Sequence, residues 1–130
     1  MENTMICLDT SVLIDFYRKK DKSKSFFFEL AGRYEEFAVS TITEFEVYIG
    51  SDKEKDLFWN EFFKKVISIP FDSFANKKAI EIDRQLKKIS KQIDIPDLMV
   101  AACAISKGFK LATLNSKHFG RIEGLEIITR

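Results

Sequence analysis

Short apolar runs closed by polar residues alternate along the chain with segments whose apolar side chains recur at helical spacing. The runs predict strands at residues 4–8, 37–40, 66–69, 110–113 and 125–128. The segments between them predict helices at residues 11–19, 22–30, 41–49, 53–65, 72–90 and 97–107. Because helices rather than hairpin turns separate the strands, the pattern predicts an α/β fold with a parallel sheet covered on both faces.

Two of the predicted helices differ in how they should be buried. In the segment 72–90 and just beyond it, one apolar stripe recurs at steps of three and four residues: Ala75, Ala79, Ile82, Leu86, Ile89 and Ile93. The segment 98–105 is apolar at every position, so a helix there would be buried on all sides. The second helix is therefore expected to lie in the centre of the molecule.

Composition narrows the class of protein. The chain has 130 residues, of which 45% are hydrophobic and 32% are charged, which predicts one compact domain over residues 1–130 and excludes disordered and fibrous classes. The longest uncharged apolar stretch, 98–106, is far shorter than the ~20 residues of a membrane-spanning helix. The first residues carry no basic run, so no signal peptide is expected. Cys7 and Cys103 lie in apolar runs, which predicts buried free thiols in a reducing cytoplasm.

Polar residues that follow predicted strands, or open a helix beside them, are the candidates for chemistry. Asp9 follows the first strand, Asn115 follows the fourth, and Asp97 opens the apolar helix. Ligands of open α/β sheets bind beyond the carboxyl ends of the strands, so these side chains are expected at one edge. Each acid also has a simpler role, since Asp9 can cap a helix and Asp97 can stabilise a helix dipole.

A fourth candidate lies on the helix 41–49. If Ile42, Phe45 and Ile49 form its inward face, Glu46 lies roughly 70° from the centre of that face and Glu44 roughly 130° away. Glu46 is then at the edge of the core, either as an ion-pair partner or as a ligand, and Glu44 points to water.

Three carboxylates at one edge would repel one another unless a cation lay between them. Oxygen donors favour Mg²⁺ or Mn²⁺, and such ions support phosphodiester hydrolysis. Zinc is disfavoured, because His118 is the one histidine and the two cysteines are distant in sequence. The residues therefore indicate a magnesium or manganese site made from Asp9, Glu46 and Asp97.

Four segments, in this order, resemble a PIN domain, and in particular the VapC toxins of bacterial toxin–antitoxin modules: ICLDTSVLIDFYR, STITEFEVYIG, DIPDLMVAACAISKGFKLATLNSKHF and IEGLEII. The resemblance implies a three-layer α/β/α fold with a short, mostly parallel central sheet. It also implies that Asp9, Glu46 and Asp97 bind a divalent metal ion, with Thr10 or Ser11 helping to position metal or water. Asn115 stands where many members carry a fourth acid, so it would complete the site as a neutral ligand.

The same resemblance implies a function and partners. The expected activity is that of a Mg²⁺- or Mn²⁺-dependent endoribonuclease, in which a metal-activated water attacks an RNA phosphodiester bond. The expected partners are an RNA substrate, a VapB-type antitoxin and a second copy of the chain in a homodimer, all in the cytoplasm. The alternative is a PIN-like domain that binds RNA or protein without cutting it. A phosphotransfer domain is disfavoured, because Ser11 stands where such phosphatases have a second Asp.

Aromatic side chains are concentrated in two of the predicted helices: Phe26, Phe27, Phe28, Phe58, Trp59, Phe62 and Phe63. Three consecutive helical residues cannot all face one core, so part of the run Phe26–Phe28 should be exposed. The two helices can form a small core of their own or line an interface. The resemblance favours a groove, formed with the first helix, for an apolar segment of the antitoxin.

Overall fold

The computed structural model describes residues 5–130, which form five strands and seven α-helices. The strands are β1 (Ile6–Leu8), β2 (Phe37–Ser40), β3 (Ile67–Ile69), β4 (Lys110–Ala112) and β5 (Ile127–Ile128). The helices are α1 (Thr10–Arg18), α2 (Phe26–Ala31), α3 (Thr41–Ile49), α4 (Lys53–Phe63), α5 (Ser73–Lys88), α6 (Ile95–Lys107) and α7 (Ser116–Phe119). Apart from the helix predicted over 22–30, the predicted elements are present within a few residues of their expected ends; Thr4, at the start of the first predicted strand, lies outside the described residues.

The sheet has the strand order β3-β2-β1-β4-β5, and each pair of neighbours is parallel. This confirms the predicted parallel sheet. The chain adds β2 and β3 on one side of β1 and then crosses to add β4 and β5 on the other side. The reversal places the carboxyl ends of β1 and β4 side by side, at the point where ligands of such sheets bind.

Side chains of successive strand residues point to opposite faces of the sheet, so each face has its own core. Cys7, Ala38 and Leu111 face the buried side chains of α5 and α6. Ile6, Leu8 and Val39 lie in a second core with buried residues of α1, α2 and α4. The fold is therefore the three-layer α/β/α arrangement that was predicted.

The two helices on the first face behave largely as their patterns indicated. On α5, four positions of the predicted stripe are buried: Ala75, Ala79, Ile82 and Leu86. Ile89 lies beyond the end of the helix and is 51% exposed, whereas Ile93 is partly buried against the core. On α6, all residues from Val100 to Ala104 are fully buried. α6 begins at Ile95, two residues earlier than predicted, because Pro96 is compatible with the first turn of a helix.

The region before α2 is the main local departure from the prediction. Instead of one helix over 22–30, a 3₁₀ turn at Lys22–Lys24 is followed by α2. The break occurs at Ser25, whose hydroxyl accepts a hydrogen bond from the Phe28 N–H and caps α2. Asp15 of α1 accepts the Phe26 N–H and fixes α2 against α1. Ser and Asp side chains thus satisfy backbone donors that a continuous helix would have used internally.

Both cysteines are buried and unpaired, as predicted. Burial raises the pKa of the Cys7 thiol, and it raises the pKa of the Cys103 thiol to about 11. Neither thiol is therefore expected to be reactive at neutral pH in the folded protein.

Within residues 5–130, no helix combines the length and the apolar character that a membrane span requires.

Candidate functional site

Asp9 lies directly after β1, at the carboxyl edge of the sheet, and is only 3% exposed. Its Oδ2 accepts hydrogen bonds from Ser11 Oγ at 2.7 Å and from Thr113 Oγ1 at 2.9 Å. Although Asp9 occupies the residue before α1, its side chain makes no hydrogen bond that caps the helix. The simpler role of a helix cap therefore does not account for this buried carboxylate.

Glu46 reaches the same edge from α3. Its Oε1 accepts a hydrogen bond of 2.9 Å from Thr10 Oγ1, in the first turn of α1. Thr10 Oγ1 also lies 2.9 Å from Thr43 Oγ1, which in turn receives Ser40 Oγ at 3.3 Å. A short chain of hydroxyl groups therefore connects the end of β2 to Glu46 and fixes the position of its carboxylate.

Two of the three residues that were predicted to form the buried face of α3 are in fact exposed, while Ile42 is partly buried against the core. Phe45 is 64% exposed and Ile49 is 67% exposed, whereas the buried positions are Thr43 and Val47. Measured from that inward face, Glu44 and Glu46 lie on opposite flanks at similar angles. Helical geometry therefore did not separate the two acids; the hydrogen bond from Thr10 does, since it ties Glu46 to the residue that follows Asp9.

Asp97 comes from the first turn of α6 and completes the group of acids. Burial raises the pKa of its carboxyl group, and the charges of Asp9 and Glu46 raise it further, while the contact with His118 opposes them. His118 Nδ1 lies 3.6 Å from Asp97 Oδ2 and 2.9 Å from Asn115 Nδ2. Asn115, just after β4, is thus linked to Asp97 through a histidine.

The structure brings the side chains of all four predicted site residues to the carboxyl edge of the sheet. There, one oxygen or nitrogen atom of each side chain contacts a hydroxyl group or His118. Among residues 5–130, no hydrogen bond engages the second oxygen of the three carboxylates: Asp9 Oδ1, Glu46 Oε2 and Asp97 Oδ1. Within the same residues, no three His, Cys, Asp or Glu side chains already stand in a metal-binding arrangement. The donor set is nevertheless one that suits a hard divalent cation, because it offers free carboxylate oxygens and an amide.

Three residues of this edge were missed as site residues in the sequence. Thr113 is fully buried and holds Asp9, Thr43 is part of the hydroxyl chain, and His118 contacts Asp97 and Asn115. The sequence contained a signal for Thr113, since it ends the apolar run that precedes Asn115. For His118, being the one histidine argued against zinc but gave no indication of its neighbours.

The sequence also matches a known protein family. A sequence profile of the PIN domain matches residues 6–125. The chain is 37% identical over 135 aligned positions to Ribonuclease VapC1 of Methanocaldococcus jannaschii, an alignment that covers 97% of this chain and 88% of that protein.

Two solved structures share the fold. The crystal structure of DNA-bound VapBC from Salmonella typhimurium superposes with a TM-score of 0.82 and 26% identity, covering 97% of this chain and 98% of the other. The crystal structure of VapBC2 from Rickettsia felis, bound to a DNA fragment from its promoter, gives a TM-score of 0.84 at 24% identity, covering 98% and 99%. At that identity the second likeness concerns the fold alone.

Proposed function

The chain belongs to the PIN domain family, and from that membership we propose that it is a divalent-metal-dependent endoribonuclease, the toxin of a VapBC-type toxin–antitoxin module. The observation that carries the proposal is the acid edge: Asp9, Glu46 and Asp97 from three separate elements, each with one carboxylate oxygen free of hydrogen bonds within residues 5–130. The relative named a ribonuclease, at 37% identity, supports the same activity.

In this proposal the three acids hold Mg²⁺ or Mn²⁺, and Asn115 completes the site through its amide. When bound, the cation supplies a Lewis acid for the phosphodiester and lowers the pKa of the attacking water. Ser11 and Thr113 keep Asp9 in place, and Thr10 does the same for Glu46. Hydroxyl donors of this kind set the direction of a carboxylate before any ligand arrives, which is what neighbouring groups do in metal sites.

The raised pKa of Asp97 is consistent with this arrangement. Burial disfavours its ionisation most, the charges of Asp9 and Glu46 disfavour it further, and a divalent cation between the carboxylates would offset the repulsion. The three acids alone therefore leave negative charge that a bound cation would balance.

Cleavage of RNA with and without metal tests the activity directly. Purified protein should cleave total RNA in Mg²⁺ or Mn²⁺ and stop in EDTA, and Asp97→Asn should lower the rate by at least a hundredfold. Glu44→Gln is the matched control, because Glu44 lies on the other flank of α3, and it should stay active. Cleavage that continues in EDTA contradicts the metal mechanism. Binding of RNA without any cleavage would instead support the alternative of a non-cutting PIN-like domain.

For the antitoxin, we propose the cleft between α1, α2 and α4, which we call the aromatic cleft. It is about 450 Å³ in volume and is lined mainly by Phe16, Phe27, Phe58 and Phe62, with Glu61 and Lys65 also in its lining. Apolar walls with charges at the mouth suit an apolar segment of a partner protein. The aromatic helices thus form a shared core, one of the two predicted outcomes, and that core leaves a cleft open.

Phe58→Ala tests this cleft, because Phe58 is a half-buried wall residue. The variant should still cleave RNA but be inhibited by the cognate antitoxin at least tenfold less tightly. Leu57→Ala is the matched control, since Leu57 is 69% exposed and does not line the cleft. Unchanged inhibition of Phe58→Ala would place the antitoxin elsewhere.

We further propose a cytoplasmic homodimer. Phe45 and Ile49 lie four residues apart on α3, and both side chains are largely exposed, as the interface of two copies would require. Light scattering should show a dimer for the wild type and a monomer for Phe45→Glu, with Glu44→Gln as the control. A monomeric wild type contradicts the dimer.

A further inference from the structure

A second groove begins at the acid edge and runs along α1; we call it the α1 groove. It has a volume of about 520 Å³, and its lining includes Thr10, Ser11, Ile14, Arg18 and Leu114. Thr10 and Ser11 are the hydroxyl groups that hold Glu46 and Asp9. The α1 groove is therefore continuous with the acid edge, so a molecule lying in it would pass the free carboxylate oxygens.

The groove follows one face of a helix. Thr10, Ile14 and Arg18 are spaced four residues apart and so lie in one row along α1. The Cα atoms of Thr10 and Arg18 are separated by about 12 Å at the usual rise of an α-helix. A stacked nucleic-acid strand carries one phosphate every ~3.4 Å, so this length accommodates about three stacked nucleotides.

The far end of the groove carries an uncompensated positive charge. Lys19 Nζ lies 3.4 Å from Asp15 Oδ1, while Asp15 Oδ2 accepts the Phe26 N–H, so this acid is fully engaged. Arg18 is exposed, and across residues 5–130 no ion pair or hydrogen bond engages its guanidinium group. A polyanion approaching three carboxylates needs a nearby cation, and Arg18 provides one in the same groove.

Two apolar residues, Ile14 and Leu114, line the groove beside its polar and charged residues. Leu114 follows β4 with its side chain 43% exposed, and its backbone N–H donates to Ser11 Oγ at 3.0 Å, which anchors it beside the acid edge. Apolar side chains beside a cation give a surface for a base or ribose next to a contact for a phosphate, the combination that single-stranded nucleic acids bind.

A cavity between α5 and α6 is the rival path for a polyanion. It contains Arg84 and Lys87, but Lys87 Nζ already pairs with Asp83 at 2.8 Å. None of the hydroxyl groups that hold Asp9 or Glu46 lines this cavity. The α1 groove is therefore better connected to the candidate site.

We propose that the α1 groove binds single-stranded RNA on one side of the scissile phosphate, with Arg18 on a backbone phosphate and with Leu114 and Ile14 against the intervening nucleotides. The proposal rests on the proposed ribonuclease function and adds the position of the substrate strand. In this proposal Arg18 and Leu114 contact the RNA and increase the affinity of the protein for it.

Fluorescence anisotropy with a labelled mixed-sequence single-stranded RNA of twelve nucleotides, in EDTA at low salt, measures this binding without cleavage. Arg18→Ala should weaken the affinity about tenfold and lower the slope of log K against log salt by about 0.7. Arg18→Lys should restore most of both, because a phosphate contact needs the charge. Leu114→Ala should weaken binding with an unchanged salt slope.

Arg84→Ala is the matched control and should bind like the wild type. Equal binding by Arg18→Ala and the wild type overturns the proposal, as does a loss confined to Arg84→Ala or a wild type that does not bind the RNA. If Arg18→Ala weakened inhibition by the antitoxin but not RNA binding, the groove would be a protein contact and the proposal would also fail. A wild type that binds through Arg18 but never cleaves with Mg²⁺ or Mn²⁺ contradicts the ribonuclease function and leaves the groove in place.

Discussion

The acid edge and the aromatic core, which is the set of packed rings of α1, α2 and α4, are built from opposite kinds of interaction. At the acid edge, Asp9, Glu46 and Asp97 are brought together against their mutual repulsion, and burial together with that repulsion raises the pKa of Asp97. In the aromatic core, rings of α1, α2 and α4 pack with centroids 5.0–6.0 Å apart. Ring contacts of this kind stabilise the fold, whereas clustered charges destabilise it.

The difference indicates how the two regions should respond to substitution. A change at the acid edge should remove activity at little or no cost in stability, because the charges oppose folding. A change in the aromatic core should cost stability, and near the cleft it should also alter partner binding. Active sites commonly show the first behaviour.

The largest effect is expected for Trp59→Ala. Trp59 is 3% exposed, and its ring contacts those of Tyr17, Phe58, Phe62 and Phe63. Truncation of a buried aromatic side chain costs about 3–5 kcal/mol in the free energy of unfolding. Urea denaturation measures it, with Leu57→Ala as the exposed control, expected within about 0.5 kcal/mol of the wild type. A loss below about 1 kcal/mol for Trp59→Ala would mean that the aromatic core contributes little to stability.

The position of the acid edge was more predictable from the sequence than the structure of the aromatic core. The strands and α6 have strong apolar patterns, and a parallel sheet brings the residues after β1 and β4 together by topology. Asp9 and Asn115 could therefore be assigned to one edge before any side-chain position was known.

What could not be predicted depends on contacts distant in sequence. Phe45 and Ile49 looked like a core-facing stripe, but the neighbours of α3 cover Thr43 and Val47 instead. His118 contacts Asp97 only because α7, a single short turn without a periodic pattern, packs beside α6. The cleft depends on how three helices meet, which the count of aromatic residues does not determine.

A smaller effect, confined to the acid edge, is expected from metal binding. Mg²⁺ or Mn²⁺ should raise the melting temperature of the wild type, and more at pH 8 than at pH 5, because protons compete for the carboxylates at low pH. Phe58→Ala should show the same shift, since the aromatic cleft lies on another surface. Differential scanning fluorimetry with and without EDTA measures both, and equal shifts at the two pH values would count against a clustered site.

The smallest effect is a gain in stability for Asp97→Asn in EDTA. Because the folded-state pKa of Asp97 is raised, folding opposes its ionisation. The resulting penalty is absent below the ordinary pKa of Asp, about 3.9, grows as the pH rises from there to the raised value, and is complete above it. Removing the charge should therefore raise the melting temperature at pH 8 but not at pH 4, while abolishing the RNA cleavage that the wild type shows with Mg²⁺ or Mn²⁺. Asp94→Asn, at the residue before α6, is the control, because Asp94 is exposed and its side chain makes no hydrogen bond that caps the helix. If Asp97→Asn instead melted lower than the wild type at pH 8, the contact of Asp97 with His118 would outweigh the repulsion, and the acid edge would stabilise the fold in the way the aromatic core does.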